Sequence, residues 1–157
     1  MTQRYGNNFD AAYNDVPASK YPPGEQSGEK KVIIERYTLV AAQQVNDIIS
    51  VGKLPKNSFV TNAKVYISKS LGATGIFDLG HVASVDEDGA VIAANNDGFV
   101  KSADAGGQAV LKSPDQSCNA LYKRFGQETE IQLICTEVMD GTVTDAELVV
   151  EVEYVNK

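Results

Sequence analysis

Residues 45–80 constrain the fold of this chain more than any other segment. Val45-Asn-Asp-Ile-Ile-Ser-Val-Gly leads into the turn Lys53-Leu-Pro-Lys-Asn57. An alternating run from Ser58 to Ser68 follows, and then Leu71-Gly-Ala-Thr-Gly-Ile-Phe-Asp-Leu-Gly80. Apolar residues recur at every second position, and proline and glycine punctuate the runs. The block therefore reads as strand, tight turn, strand, glycine-rich turn and strand, with no helix between them and no catalytic group among them.

The same period of two marks the rest of the chain after Lys31. In 32–41, Ile33, Tyr37, Leu39 and Ala41 share one face. Val32, Ile34 and Val40 make the other face partly apolar, which predicts cover on both sides of this strand. Phe59, Thr61, Ala63, Val65 and Ile67 are predicted to face inward, opposite Val60, Asn62, Lys64, Tyr66 and Ser68. Ile131, Leu133 and Cys135 repeat the pattern. Near the end, Ala146, Leu148, Val150, Val152 and Tyr154 form an apolar face against the solvated Glu147, Glu151 and Glu153. Turn signals separate these runs at Gly72 and Gly75, Asp88-Gly89, Asp97-Gly98, Gly106-Gly107 and Asp140-Gly141. Residues 85–111 alternate weakly and are rich in Ala and Asn, which predicts a long excursion with one helical turn near 90–95. Short strands without βαβ alternation give the fold class: all-β, an antiparallel β-sandwich of jelly-roll-like form. At 157 residues and 43% hydrophobic composition, one core is expected.

The chain divides near Lys31, into an extended N-terminal arm over 1–31 and a sandwich domain over 32–157. Pro17 and the Tyr21-Pro22-Pro23-Gly24 cluster exclude a regular helix in that part of the arm. Its aromatics are regular, with Tyr5, Phe9 and Tyr13 four apart and Tyr21 further on. Rings on such a segment serve to be buried, here against a neighbouring subunit or a partner surface.

The net charge is −7, and the arm is neutral, so the excess lies in the body. Asp86 to Asp104 holds five acids with Lys101 alone, and Glu137 to Glu153 holds six with no base. A body of this sign repels nucleic acid, so no nucleic-acid partner is expected. No apolar run approaches the roughly 20 residues of a membrane span and no signal peptide opens the chain, so a soluble protein made in a cytoplasm, without a membrane partner, is expected. Cys118 and Cys135 read as free thiols.

No enzymatic chemistry is expected. His81 is the single histidine, beside Gly80 and without a cysteine or serine motif, and reads as structural. Gly72-Ala-Thr-Gly75 lacks the Walker spacing. Asp86-Glu-Asp-Gly89 lacks the glycine and glutamate positions of a calcium loop and reads as an acidic turn. No cofactor and no metal are expected. The absence of tryptophan weighs against a sugar site.

The run Leu39-Val-Ala-Ala-Gln-Gln-Val-Asn-Asp-Ile-Ile-Ser-Val-Gly-Lys-Leu-Pro55, the strand and Leu71–Gly80 segment after it, and the closing Leu148-Val-Val-Glu-Val-Glu-Tyr-Val155 resemble small structural proteins of tailed bacteriophages. Within that group the chain is most similar to head decoration or cement proteins. The resemblance covers roughly residues 32–155 and carries no catalytic residues. It implies a β-sandwich, a homotrimer, and a place on the capsid exterior after assembly in the host cytoplasm. There the protein would bind the major capsid protein and stabilise the shell by bridging adjacent subunits, with Tyr5, Phe9, Tyr13 and Tyr21 as partner-binding residues of the arm. The alternative is a receptor- or glycan-binding module of a phage fibre or appendage.

Overall fold

A computed structural model describes residues 30–39, 44–71, 76–104, 110–112, 114, 117–137 and 145–156. The eight principal strands are β1 (Lys31–Thr38), β2 (Ile48–Leu54), β3 (Ser58–Ile67), β4 (Ile76–His81), β7 (Asn95–Asp104), β8 (Val110–Lys112), β10 (Thr129–Cys135) and β11 (Glu147–Asn156). Shorter strands are β5 (Ser84–Val85), β6 (Val91–Ile92) and β9 (Arg124–Phe125). One sheet has the order β1-β11-β3-β8, with β9 also on β3, and the other has β2-β10-β4-β7. Every pairing is antiparallel. The first principal strand lies beside the last and the second beside the last but one, so the chain passes between the two layers as in a jelly roll. The sandwich expected from the sequence is therefore the observed fold.

The core lies between the layers. Val65, Ile67, Leu148, Val150 and Val152 enter from the first sheet, and Val51, Leu54, Phe77, Leu79, Phe99, Ile131 and Leu133 from the second. The outer face of β11 carries the three glutamates read as solvated, and each has a cation: Lys30 to Glu153 at 3.2 Å, Arg36 to Glu147 at 2.9 Å and Lys64 to Glu151 at 3.5 Å. Both cysteines are buried and free, as expected.

Four expectations are corrected. Val32 and Ile34 are 48% and 57% exposed, because they share the outer face of the first sheet with Glu153 and Glu151, while Ile33 and Tyr37 on the opposite face pack on the core. In β3 the inward set is Val60, Ala63, Val65 and Ile67. A bulge, at which β11 passes from Asn62 to Val60, skips Thr61 and leaves Phe59 half-buried on the other side. No helical turn occupies 90–95: Val91 and Ile92 pair with Val85 and Ser84 in a small hairpin, and Asn95 begins a ten-residue strand. Asp97-Gly98, read as a turn, lies inside that strand, where a Cβ on Gly98 would stand 2.7 Å from the Ala120 methyl.

The strand β7 is poor in alternation because it bulges over β4. Leu79 pairs with Val100, but His81 pairs with Asn95, so several β7 residues pass over Gly80. A Cβ on Gly80 would overlap the Asn95 carbonyl and the Asn96 backbone. Backbone atoms cannot rotate aside, so we expect Gly80→Ala to cost about 3 kcal/mol, the upper end of overpacking, measured by denaturant unfolding. An unchanged midpoint would show that β7 can lift away. The exposed ion pairs on β11 act oppositely. Changing Glu147, Glu151 and Glu153 together to Gln should retain cooperative unfolding and lower Tm by less than about 6 °C.

Candidate partner-binding surface

The bulge in β3 assembles the most interface-like cluster on the body. It turns Phe59 outward beside β9, where Phe59 pairs with Arg124. The Arg124 guanidinium lies over the Phe59 ring, 5.5 Å from its centroid, and its Nη1 reaches Glu87 Oε2 at 3.6 Å. The Tyr122 ring stands 6.3 Å from the Phe59 centroid, tilted by 37°, and is 67% exposed. Tyr122 has φ of 60°, an unusual conformation for a bulky residue, held by its N–H donating to the Val60 carbonyl at 2.8 Å. That conformation aims the ring outward while Phe125, three residues further on, is fully buried.

Lys53 and Leu54, expected to open a turn, instead end β2, and the turn that follows over 55–57 joins the same end of the sandwich, since Asn57 N–H donates to the Phe125 carbonyl at 2.7 Å. Next to it Lys53 Nζ meets Glu128 at 2.9 Å. The hydrogen bond to Glu128 and its charge hold the ammonium above the ordinary lysine range. Glu130 is held below the carboxylate range by the hydroxyl of Ser50, which donates to it at 2.5 Å, and then by Gln132. Tyrosine and arginine are the residue types that dominate interface hot spots, and here the arginine is already oriented by an aromatic face.

The candidates for chemistry resolve differently. His81 is buried between Phe99 and Phe125, with ring centroids 5.6 and 4.9 Å away. Its Nδ1 lies 2.7 Å from the Val82 carbonyl, which only accepts, so Nδ1 carries the proton. Nε2 is buried and has no hydrogen-bond partner. Burial pushes the pKa below 6.5 against the opposing Val82 bond, and the charge of Lys123 pushes it the same way. The imidazole is a neutral core group, as the sequence reading held. The Asp86–Gly89 segment is a turn: Asp86 Oδ1 accepts N–H bonds from Asp88 at 3.0 Å and Ala90 at 2.8 Å, and Gly89 takes φ of 84°. Beside it lies a cavity of about 450 Å³ lined by Asp86, Val91, Asn95, Asn119 and Lys123 among others, with no aromatic ring in its wall. Among the described residues no cluster of histidine, cysteine and carboxylates could hold a metal.

The predicted arm residues Tyr5, Phe9, Tyr13 and Tyr21 lie outside the described residues, as do the turns at Gly72 and Gly75, Gly106-Gly107 and Gly141. Tyr122 and Arg124 escaped sequence reasoning. They sit in Leu-Tyr-Lys-Arg with no alternation, and only an exposed-looking tyrosine between strands could have singled them out.

The fold is similar to that of solved viral shells. A chain in the capsid of Ralstonia phage GP4 superposes with a TM-score of 0.63 at 18% identity, covering 83% of this chain and 86% of that one. A chain of the cyanophage Pam1 capsid asymmetric unit gives 0.57 at 16% identity, covering 82% and 86%. At such identities the likeness is one of fold. No protein-family model and no curated protein match the sequence.

The buried imidazole sets a pH dependence. The unfolded chain takes up a proton near 6.5, while the folded chain resists it. The stabilisation from neutral His81 is thus fully present above about pH 6.5 and declines as pH falls from there towards the folded value, by at most about 1.4 kcal/mol per pH unit. In urea titrations between pH 7.5 and 5.5 we expect this slope, and we expect it to disappear in His81→Phe whatever that variant's absolute stability. An identical slope in the variant would place the titration elsewhere.

Proposed function

We propose that the protein is a structural component of a phage virion that decorates the capsid exterior and stabilises it by bridging adjacent shell subunits. One observation carries this reading: the sandwich matches chains of two phage capsids along more than four-fifths of both partners. The body adds support, since its one histidine is sealed in the core and its displayed side chains are of the kind that bind proteins. Localisation is then the virion, and the partner is the major capsid protein. A homotrimer is the assembly proposed, each copy reaching the shell with the arm that precedes β1 and with the Phe59, Tyr122 and Arg124 cluster. A shell repeats one site many times, so modest contacts from each copy add up to resistance against internal pressure.

Imaging of assembled particles tests the location: decoration requires many copies distributed over the head, and a dozen or fewer confined to the tail would overturn it. Attachment to shells lacking the protein tests the surfaces. Deleting residues 1–24 should leave the β-type circular dichroism nearly unchanged and weaken attachment sharply. Replacing Tyr5, Phe9 and Tyr13 with Ala should reproduce much of that loss. Tyr122→Ala with Arg124→Ala should weaken binding about tenfold or more without moving Tm substantially. Equal binding by the truncated chain would remove the arm from the contact, and equal binding by the double variant would remove the cluster.

A further inference from the structure

The outer edge of β1 is unusually well prepared to pair. Its register with β11 runs unbroken from Lys31 to Thr38, whereas β2 with β10, β3 with β11 and β4 with β7 all carry shifts. Among the described residues no strand pairs with its other side, and the strand contains neither proline nor glycine to blunt it. Exposed apolar side chains gather on this flank. Of seven exposed large hydrophobics among the described residues, Val32 and Ile34 lie on β1, Ile48 opens β2, and Val45 lies in the turn before it. The edge strand β2 runs over β1, with Gly52 against Ile33.

The charges on this edge specify a partner. Lys30 and Arg36 are committed to Glu153 and Glu147. Lys31 and Glu35 are exposed, and no ion pair ties either to a described residue. They have opposite sign and flank Ile33 symmetrically, two residues to each side.

We propose that β1 pairs with β1 of a second copy of this chain, antiparallel about a two-fold axis through Ile33. Residues directly opposite in an antiparallel pair point to the same face, so a continuous sheet with both cores on one side must pair residues of equal parity. Centred on Ile33, the pairing sets Ile33 against itself, Val32 against Ile34 twice, and Lys31 against Glu35 twice. Centred on Ile34, it would set Ile33 against Glu35 and Val32 against Arg36. Centred on Glu35, it would oppose two carboxylates, and centred on Val32 it would set Lys31 against Ile33. Only the Ile33 register matches apolar with apolar and cation with anion. Lys30 and Arg36 also meet in it, but each already has its own glutamate. Charges in the inward row of an edge strand ordinarily guard against pairing. Here their signs make the guard selective for one register of one partner.

The contact is two-fold, so it adds to a three-fold assembly by joining copies from different trimers, and it holds whether or not the protein sits on a shell. Sedimentation equilibrium of the full chain tests it. Lys31→Glu and Glu35→Lys each turn two attractive pairs into two repulsive ones and should weaken the self-association step about tenfold or more. The exchange Lys31→Glu with Glu35→Lys should restore it to within about threefold of wild type. Mixed Val32→Cys and Ile34→Cys chains should form the disulfide between the two variants in preference to either with itself, because 32 faces 34 only in this register. The native thiols are buried and do not compete. Absence of self-association, indifference to the charge variants, or preferential Ile34→Cys self-coupling would overturn the proposal. Occupation of the edge by the arm or by a shell protein would appear as the first of these.

Discussion

The first sheet depends on one strand. β11 lies between β1 and β3, makes its register with both, and supplies Leu148, Val150 and Val152 to the core. Neither neighbour touches the other within the sheet, so without β11 they have no common partner. More than a hundred residues separate β1 from β11, and their pairing must close that loop before it returns any stabilisation. A topology of this kind folds slowly by comparison with one built on local hairpins. It also explains why alternation is cleanest in β11: a strand paired on both sides and packed on one face has no latitude in register.

That latitude decides what could be read from the sequence. Strand positions in β10 and β11 follow from alternation alone, and so does the free state of the two cysteines. The Asp86–Gly89 turn was legible because aspartate and glycine place their own hydrogen bonds locally. The reversal of Phe59 and Val60 was not, since a bulge depends on how β11 meets β3 and leaves no mark in β3 itself. Likewise Ala and Asn around 90–98 suggested a helical turn and a loop. Their real cause is a backbone that must pass closely over Gly80 and beside Ala120, which admits only small or flexible residues.

The candidate surface divides along the same line. Arm aromatics can be picked out from spacing, but the Phe59, Tyr122 and Arg124 cluster exists only because a bulge, a left-handed tyrosine and a two-residue strand converge. None of those three is a sequence pattern. The cluster nonetheless follows from ordinary constraints: Phe125 must enter the core, so its neighbour Arg124 faces out and lies on the ring that the bulge has exposed. Surface function in such a sandwich is therefore a by-product of how its core is closed.

The sealed histidine has a practical corollary. It is the single imidazole in a chain without tryptophan, and it sits against Phe99 and Phe125, which themselves meet edge to face at 6.3 Å. Ring currents from both phenylalanines act on its carbon-bound protons, so one pair of imidazole resonances in an ordinary proton spectrum reports the integrity of the core. No label or substitution is required.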